Sequence, residues 1–152
     1  MKKVAESKSI QNRRARFDYE LIDEIVVGIV LSGPETKAAR NSHVQLKGSY
    51  VTVKDDELWL INASFSVANN ERGGGRTVDD RSRKLLAHRK QIDKLIQAKK
   101  DGLTIVPVKM LTSGRYIKIV IATGKGKKNY DKRETIKKRD TMRENARVLR
   151  LK

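Results

Sequence analysis

With 35 Lys and Arg against 18 Asp and Glu, this 152-residue chain has a formal net charge of +17, an excess that makes a polyanionic partner the natural expectation. The lack of cysteine excludes disulfides, Cys-ligated zinc and thiol catalysis, and no run of about 18 apolar residues exists to cross a membrane. Hydrophobic residues make up 38 %, enough for one small core, so the sequence predicts one domain with an extension.

Residues 1–11 are polar and aperiodic and read as a flexible leader without the apolar centre of a secretory signal, which points to the cytoplasm. From Phe17 the pattern turns strand-like: FDYELI alternates and EIVVGIVL is a β-branched run with Gly28 inside it, where a bulge or bend is expected. Ser32 and Glu35 have capping-box spacing around Pro34, which predicts a short helix from Pro34 to Arg40. SYVTVKDDELWLINASF reads as a hairpin turning at Asp55-Asp56, in a loop expected to exceed two residues because Asp-Asp is a poor tight turn. Val67 to Asp80, with three glycines in succession, reads as a mobile loop. Leu85, Leu86, Ile92, Leu95 and Ile96 fall at helical spacing, which predicts a helix begun by Asp80 or Ser82 and ended by Gly102. A last hairpin pairs LTIVPVKML with RYIKIVIA, Pro107 marking an edge or bulge.

This order predicts a mainly β fold with helices: a small antiparallel β-barrel of oligonucleotide-binding type, with about six strands and two to three helices, over residues 12–124. Residues 125–152 hold twelve Lys and Arg and four acids, net +8. Ile136, Met142 and Val148 recur every six residues and build no apolar stripe, so this basic tail is expected to be disordered alone and helical when a polyanion neutralises it.

No motif points to catalysis. GKGKKN lacks the spacing and the hydroxyl of a P-loop, and His43 and His88 lack metal-ligand spacing, so neither an enzyme nor a cofactor is expected. Three basic clusters stand out instead: NRRAR before the first strand, RSRK (Arg81 and Arg83 at a predicted helix start) and GKGKKNYDKR after the last strand. One such run is ordinarily a solvated face; three at element ends point to phosphate binding, where the arginine fork is bidentate. Without a helix-turn-helix, RNA is expected over duplex DNA. Trp59 and Tyr116 sit in alternating segments and are expected to pack in the core, whereas Tyr130 lies among cations where it can stack on a base.

The motifs NRRARFDY, GIVLSGPETKAAR, LKGSYV, RSRKLLAHRKQIDKL, GLTIVPVKM and KGKKNYDKRETIKKR, in that order, resemble the SsrA-binding protein family, small protein B, over roughly residues 12–140. The resemblance implies a barrel that binds the tRNA-like domain of transfer-messenger RNA and enters ribosomes stalled on messages without a stop codon. It further implies a tail that becomes helical in the empty messenger channel at the small-subunit decoding region. By motif it places Asn12, Arg13, Arg14, Arg16, Tyr19, Lys84, Leu86, Lys118, Lys125, Lys127 and Lys128 toward RNA. It likewise implies that Tyr130, Asp131, Lys132, Arg133, Ile136, Lys137, Lys138 and Arg139 belong to the ribosome-binding tail. The chain departs from the family pattern at Val26-Val27, where an acid and Ala are usual, at Asp79 in place of Pro, at Asp55-Asp56 in place of Asp-Gly, and in the Gly73–Gly75 loop. A monomer is expected for the free chain. The alternative reading is a structural ribosomal protein or a general RNA-binding barrel.

Overall fold

The β-branched run after the first basic cluster forms the longest strand, and the fold is built on it. In the computed structural model, which describes residues 8–69 and 73–151, a short helix α1 (Arg13–Asp18) leads directly into β2 (Tyr19–Ile29). Strand β1 (Ser9–Gln11) precedes them and pairs with β9, so the end of the expected leader is ordered sheet; residues 1–7, 70–72 and 152 lie outside the described residues. The remaining elements are α2 (Gly33–Arg40), β3 (Val44–Gln45), β4 (Tyr50–Lys54), β5 (Glu57–Ile61), β6 (Ser64–Ala68), β7 (Arg76–Asp79), β8 (Arg83–Leu86), α3 (Arg89–Lys100), β9 (Thr104–Leu111), β10 (Lys118–Gly126) and α4 (Asn129–Arg150).

Six strands close into an antiparallel ring in the order β9-β10-β2-β8-β5-β4, completed where Val51 of β4 stands opposite Ile105 of β9. Alternation puts Val27, Val51, Leu58, Leu60, Leu85, Ile105, Met110, Ile119 and Ile121 inside, and Leu95 of α3 joins the same core. β1 extends the sheet beside β9, and β3, β6 and β7 form a separate three-stranded sheet that contributes Phe65 to the core. The described residues thus hold ten strands and four helices around the expected six-stranded ring. No helix among them is long and apolar enough to cross a membrane.

Local expectations fare unevenly, for identifiable reasons. Ser32 and Glu35 do form the capping box of α2, and Gly102, at φ +83, does end α3. The Asp55-Asp56 turn is only two residues long: both take positive φ (52° and 60°), the primed-turn geometry that matches strand twist, and Lys54 faces Glu57 directly. The glycine-rich stretch is a hairpin, with Val67 and Ala68 of β6 facing Thr77 and Arg76 of β7. The largest correction concerns residues 83–86. They form a strand, and α3 begins only after His88, which takes the N-cap position. Arg83 and Leu85 point inward while Leu86 is exposed, which is the period of two of a strand. Short apolar runs fit both periods, and here pairing with β2 and β5 decides.

Both bulges lie on the paths that position the basic residues. Gly28 makes no bulge; it faces Leu86 so closely that a Cβ would come within 3.2 Å of the Leu86 Cβ. One register shift falls between Thr123 and Gly124, where a Cβ on Gly124 would meet the Glu20 carbonyl oxygen at 3.1 Å. The other leaves Val108 unpaired beside Pro107, which has no N–H to give to the ladder.

Candidate nucleic-acid interface

The β9 bulge frees two carbonyls, and Asn12 takes both. Its backbone N–H donates to Val108 O (2.8 Å) and its side-chain amide to Pro107 O (2.8 Å) and Leu46 O (3.1 Å), while its Oδ1 accepts from the Ala15 N–H as the N-cap of α1. Asn12 is buried, so the expectation that it meets RNA is corrected: it fixes α1 against the ring, and α1 carries the cations outward. Arg13, Arg14 and Arg16 are exposed on that helix and Tyr19 is half-buried behind them.

The C-terminal end of β10 arrives at the same place, two residues beyond the expected domain limit. Lys125 and Lys128 are exposed; Lys127 donates its N–H to Asp18 O (2.8 Å) and its Nζ to Arg16 O (3.0 Å). Asp18 is the joint of this region. Its carboxylate accepts from Arg14 Nε (2.8 Å) and pairs with Lys132 Nζ (3.2 Å), the first turns of α4 being held to α1 in this way. Burial acts to raise the Asp18 pKa, but the Lys132 and Arg14 cations outweigh it and hold the carboxyl below its ordinary value. Seven cations, Arg13, Arg14, Arg16, Lys125, Lys127, Lys128 and Lys132, therefore gather around one joint.

Helix α4 leaves from this joint with none of its residues buried. Its 22 residues span about 33 Å at ~1.5 Å each. Tyr130 is exposed at its base, Arg133, Ile136, Lys137, Lys138 and Arg139 are exposed along it, and Asp131 accepts the Lys128 N–H at 3.3 Å to close its first turn.

The RSRK cluster divides. Arg83 is wholly buried and stays with the interior: its guanidinium carbon lies 3.8 Å from the Phe65 ring centroid, and it donates to Glu35 Oε1 (3.0 Å) and to the carbonyls of Ala63, Arg81 and Asp79. No phosphate can reach it, and it does not stand at a helix N-terminus; the expectation of an RNA contact is corrected to a structural one. Arg81 is half-exposed, but both arms of its fork are taken by Glu35, at 2.8 and 2.7 Å. Burial would raise the Glu35 pKa; hydrogen bonds from Arg81 and the Ser32 N–H, and the charge of Arg83, hold it low instead. Lys84 is half-buried in a pair with Glu57. Leu86 is exposed, in a row with Gly28 of β2 and Lys118 of β10 across the outer surface of the ring. Lys118 and Gly126 end the same strand, so this row lies roughly 25 Å from the Asp18 joint at about 3.4 Å per residue.

Among the described residues no group of three or more His, Asp or Glu is placed to hold a metal ion. The arrangement is a body with exposed cations at both ends of β10 and a long basic helix rooted at one of them. The family model for the SmpB protein matches residues 9–151.

The chain belongs to the SmpB family.

It is 42 % identical to the SsrA-binding protein of Mycoplasma mycoides over 144 residues, covering 92 % of this chain and 95 % of that one. It is 42 % identical to the SsrA-binding protein of Enterococcus faecalis over 142 residues, 92 % and 91 % of the two chains. The fold is similar to a chain in a solved structure of tmRNA–SmpB in the bacterial ribosome, with a TM-score of 0.62 and 38 % identity over 80 % of this chain and 85 % of that one. Three residues of this SmpB-family chain that sequence reasoning did not single out carry much of the geometry: Asp18, Glu35 and Arg40. Each is an ordinary charge in a charged sequence, and only its partners distinguish it; the capping box was the one signal that involved Glu35.

Proposed function

We propose that this chain binds the tRNA-like domain of transfer-messenger RNA and delivers it to stalled ribosomes in trans-translation, in the cytoplasm and as a monomer when free. It acts by binding and shape, without making or breaking bonds. The observation that carries this reading is the Asp18 joint, where exposed cations of α1 and β10 meet the root of a helix that buries nothing. A helix with no packing role in its own fold is kept for a surface outside it. Exposed cations at the ring, Arg13, Arg14, Arg16, Lys118, Lys125 and Lys128, take RNA phosphates together with the half-buried Lys127 beside them, with Leu86 against the RNA and Lys84 supporting it from its pair with Glu57. The tail from Tyr130 to Arg139 and beyond probes the empty messenger channel as a helix, tied to the body only near its root.

Deletion of residues 129–152 tests the division. Affinity for the tRNA-like domain stays within a few-fold of the full chain while rescue of stalled ribosomes is lost; wholesale loss of RNA affinity would overturn it. The unburied basic helix also suits a structural ribosomal protein or general RNA binder. Competition separates the two readings, because excess unstructured RNA displaces a general binder and leaves one that reads a folded RNA in place.

A further inference from the structure

Between Leu111 and Lys118 the chain turns at the end of β10 far from the tail helix, and the turn is held more firmly than its Thr-Ser-Gly start requires. Arg40, the last residue of α2, reaches across to it. Its Nη1 donates to Thr112 O (2.9 Å) and Gly114 O (3.0 Å), and its Nη2 to Arg115 O (3.0 Å). From the other side, the Thr112 N–H and Oγ1 both donate to Lys8 O, at 3.1 and 3.0 Å, and Ile117 anchors the turn in the core. One guanidinium satisfying three carbonyls removes most of the freedom of a short loop, so whatever the loop presents is preorganised.

What it presents is Tyr116, 68 % exposed, with the Arg115 guanidinium 5.4 Å from its ring centroid. The sequence placed this tyrosine in the core; the clamp turns it out, because Ile117 takes the inward position. A tyrosine offers a flat face of low conformational entropy, and an adjoining guanidinium binds phosphate or adds cation–π attraction. The ion pairs among the described residues leave out Arg40, Arg115 and Lys118, so the surroundings are cationic and uncompensated there.

We propose that the Arg40-clamped turn is a second RNA-contact site, where Tyr116 stacks on an unpaired base and Arg115 takes the phosphate beside it. The site rests on the reading that this chain binds RNA and extends the Leu86–Gly28–Lys118 row away from the Asp18 joint, so that RNA is gripped at both ends of β10. A ring with a guanidinium 5.4 Å from its centroid and a lysine two residues along the chain, on a chain of net charge +17, favours a nucleic acid over a protein partner.

Equilibrium binding of two probes tests it: a transcript of the tRNA-like domain, and a single-stranded oligouridylate that needs no folded RNA. Tyr116→Ala weakens both by roughly 5- to 150-fold, the range that loss of one base–aromatic stack produces, and leaves the salt dependence unchanged. Tyr116→Phe binds like the parent. Arg115→Ala lowers the slope of log affinity against log salt by about 0.7–0.9, the share of one phosphate contact. Arg40→Ala, with its fold checked by circular dichroism, loses affinity by releasing the turn; Tyr116 is exposed, so its variants report even if Arg40→Ala does not fold. Parental affinity of Tyr116→Ala for both RNAs would overturn the proposal. So would a loss of ribosome rescue with RNA affinity intact, which assigns the turn to a protein surface. If the parent ignores the folded transcript yet Tyr116→Ala loses oligouridylate, the proposed function fails and the stacking site stands.

Discussion

Removing the Glu35 carboxylate leaves Arg83 charged in the interior with carbonyls, the Phe65 ring and only the looser pair with Asp79 at 3.7 Å. Breaking a buried pair from one side costs about 3–5 kcal/mol, so Glu35→Gln is expected to lower the urea midpoint sharply. The same pair gives acid sensitivity. The Glu35 pKa in the fold lies below its ordinary value of 4.5, so its stabilisation is complete above that pH and drains away as the pH falls through the folded pKa. Urea midpoints measured from pH 6 downward should therefore fall below about pH 4.5 in the parent and stay flatter in Glu35→Gln. Asp18, also held low, contributes in the same direction, and Asp18→Asn measured alongside separates the two. Arg83→Ala should unfold the chain, whereas Arg13→Ala or Arg16→Ala, both at exposed sites, should leave melting nearly unchanged and reduce the salt slope of RNA binding.

Helix α4 is tied to the body chiefly at its root, through Lys127 and the Asp18–Lys132 pair. Because no α4 residue is buried, truncation at Asn129 should leave the thermal midpoint of the body nearly unchanged, read by near-ultraviolet circular dichroism, while far-ultraviolet helical signal falls. Asp18→Asn should speed amide exchange over residues 127–135, and the charge-reversed pair Asp18→Lys with Lys132→Asp should recover part of the protection. Recovery distinguishes the ion pair from simple packing. The helix also has a charge period that its apolar residues do not disclose. At 100° per residue, Lys132, Arg139, Arg143 and Arg150 fall within roughly 40° of one another, on the side that begins at Asp18. Ile136, Met142 and Val148 form no apolar stripe; the stripe this segment does carry is cationic, and like charges that repel one another suit an external polyanion.

For the whole molecule, cations at both ends of β10 imply contacts with many phosphates. If six to ten are neutralised, affinity for the tRNA-like domain should fall on the order of 10³–10⁵-fold between 50 and 200 mM salt, measured by filter binding. Arg13→Ala and Arg115→Ala should lower that slope separately and additively, since the two lie at opposite ends of β10.

Composition, charge and alternation were enough to establish a small mainly antiparallel β fold, a polyanionic partner and an unburied basic tail, because net charge and the period of two are local properties of the chain. The motifs carried the family and the order of its elements. Which arginine faces water is a different kind of fact. Arg81 and Arg83 are two residues apart in a basic run, yet one is half-exposed and the other wholly buried. Asn12 and Arg13 are adjacent, and one is buried while the other is exposed. Residues 83–86 fit a helix by spacing and became a strand because β2 and β5 offered free edges. Tyr116 fits a strand interior by alternation and came to the surface because Arg40, 76 positions earlier, fixed the turn that carries it. In each case the deciding partner is distant in sequence, and a charge or an aromatic ring acquires its role only when folding brings that partner within hydrogen-bonding distance.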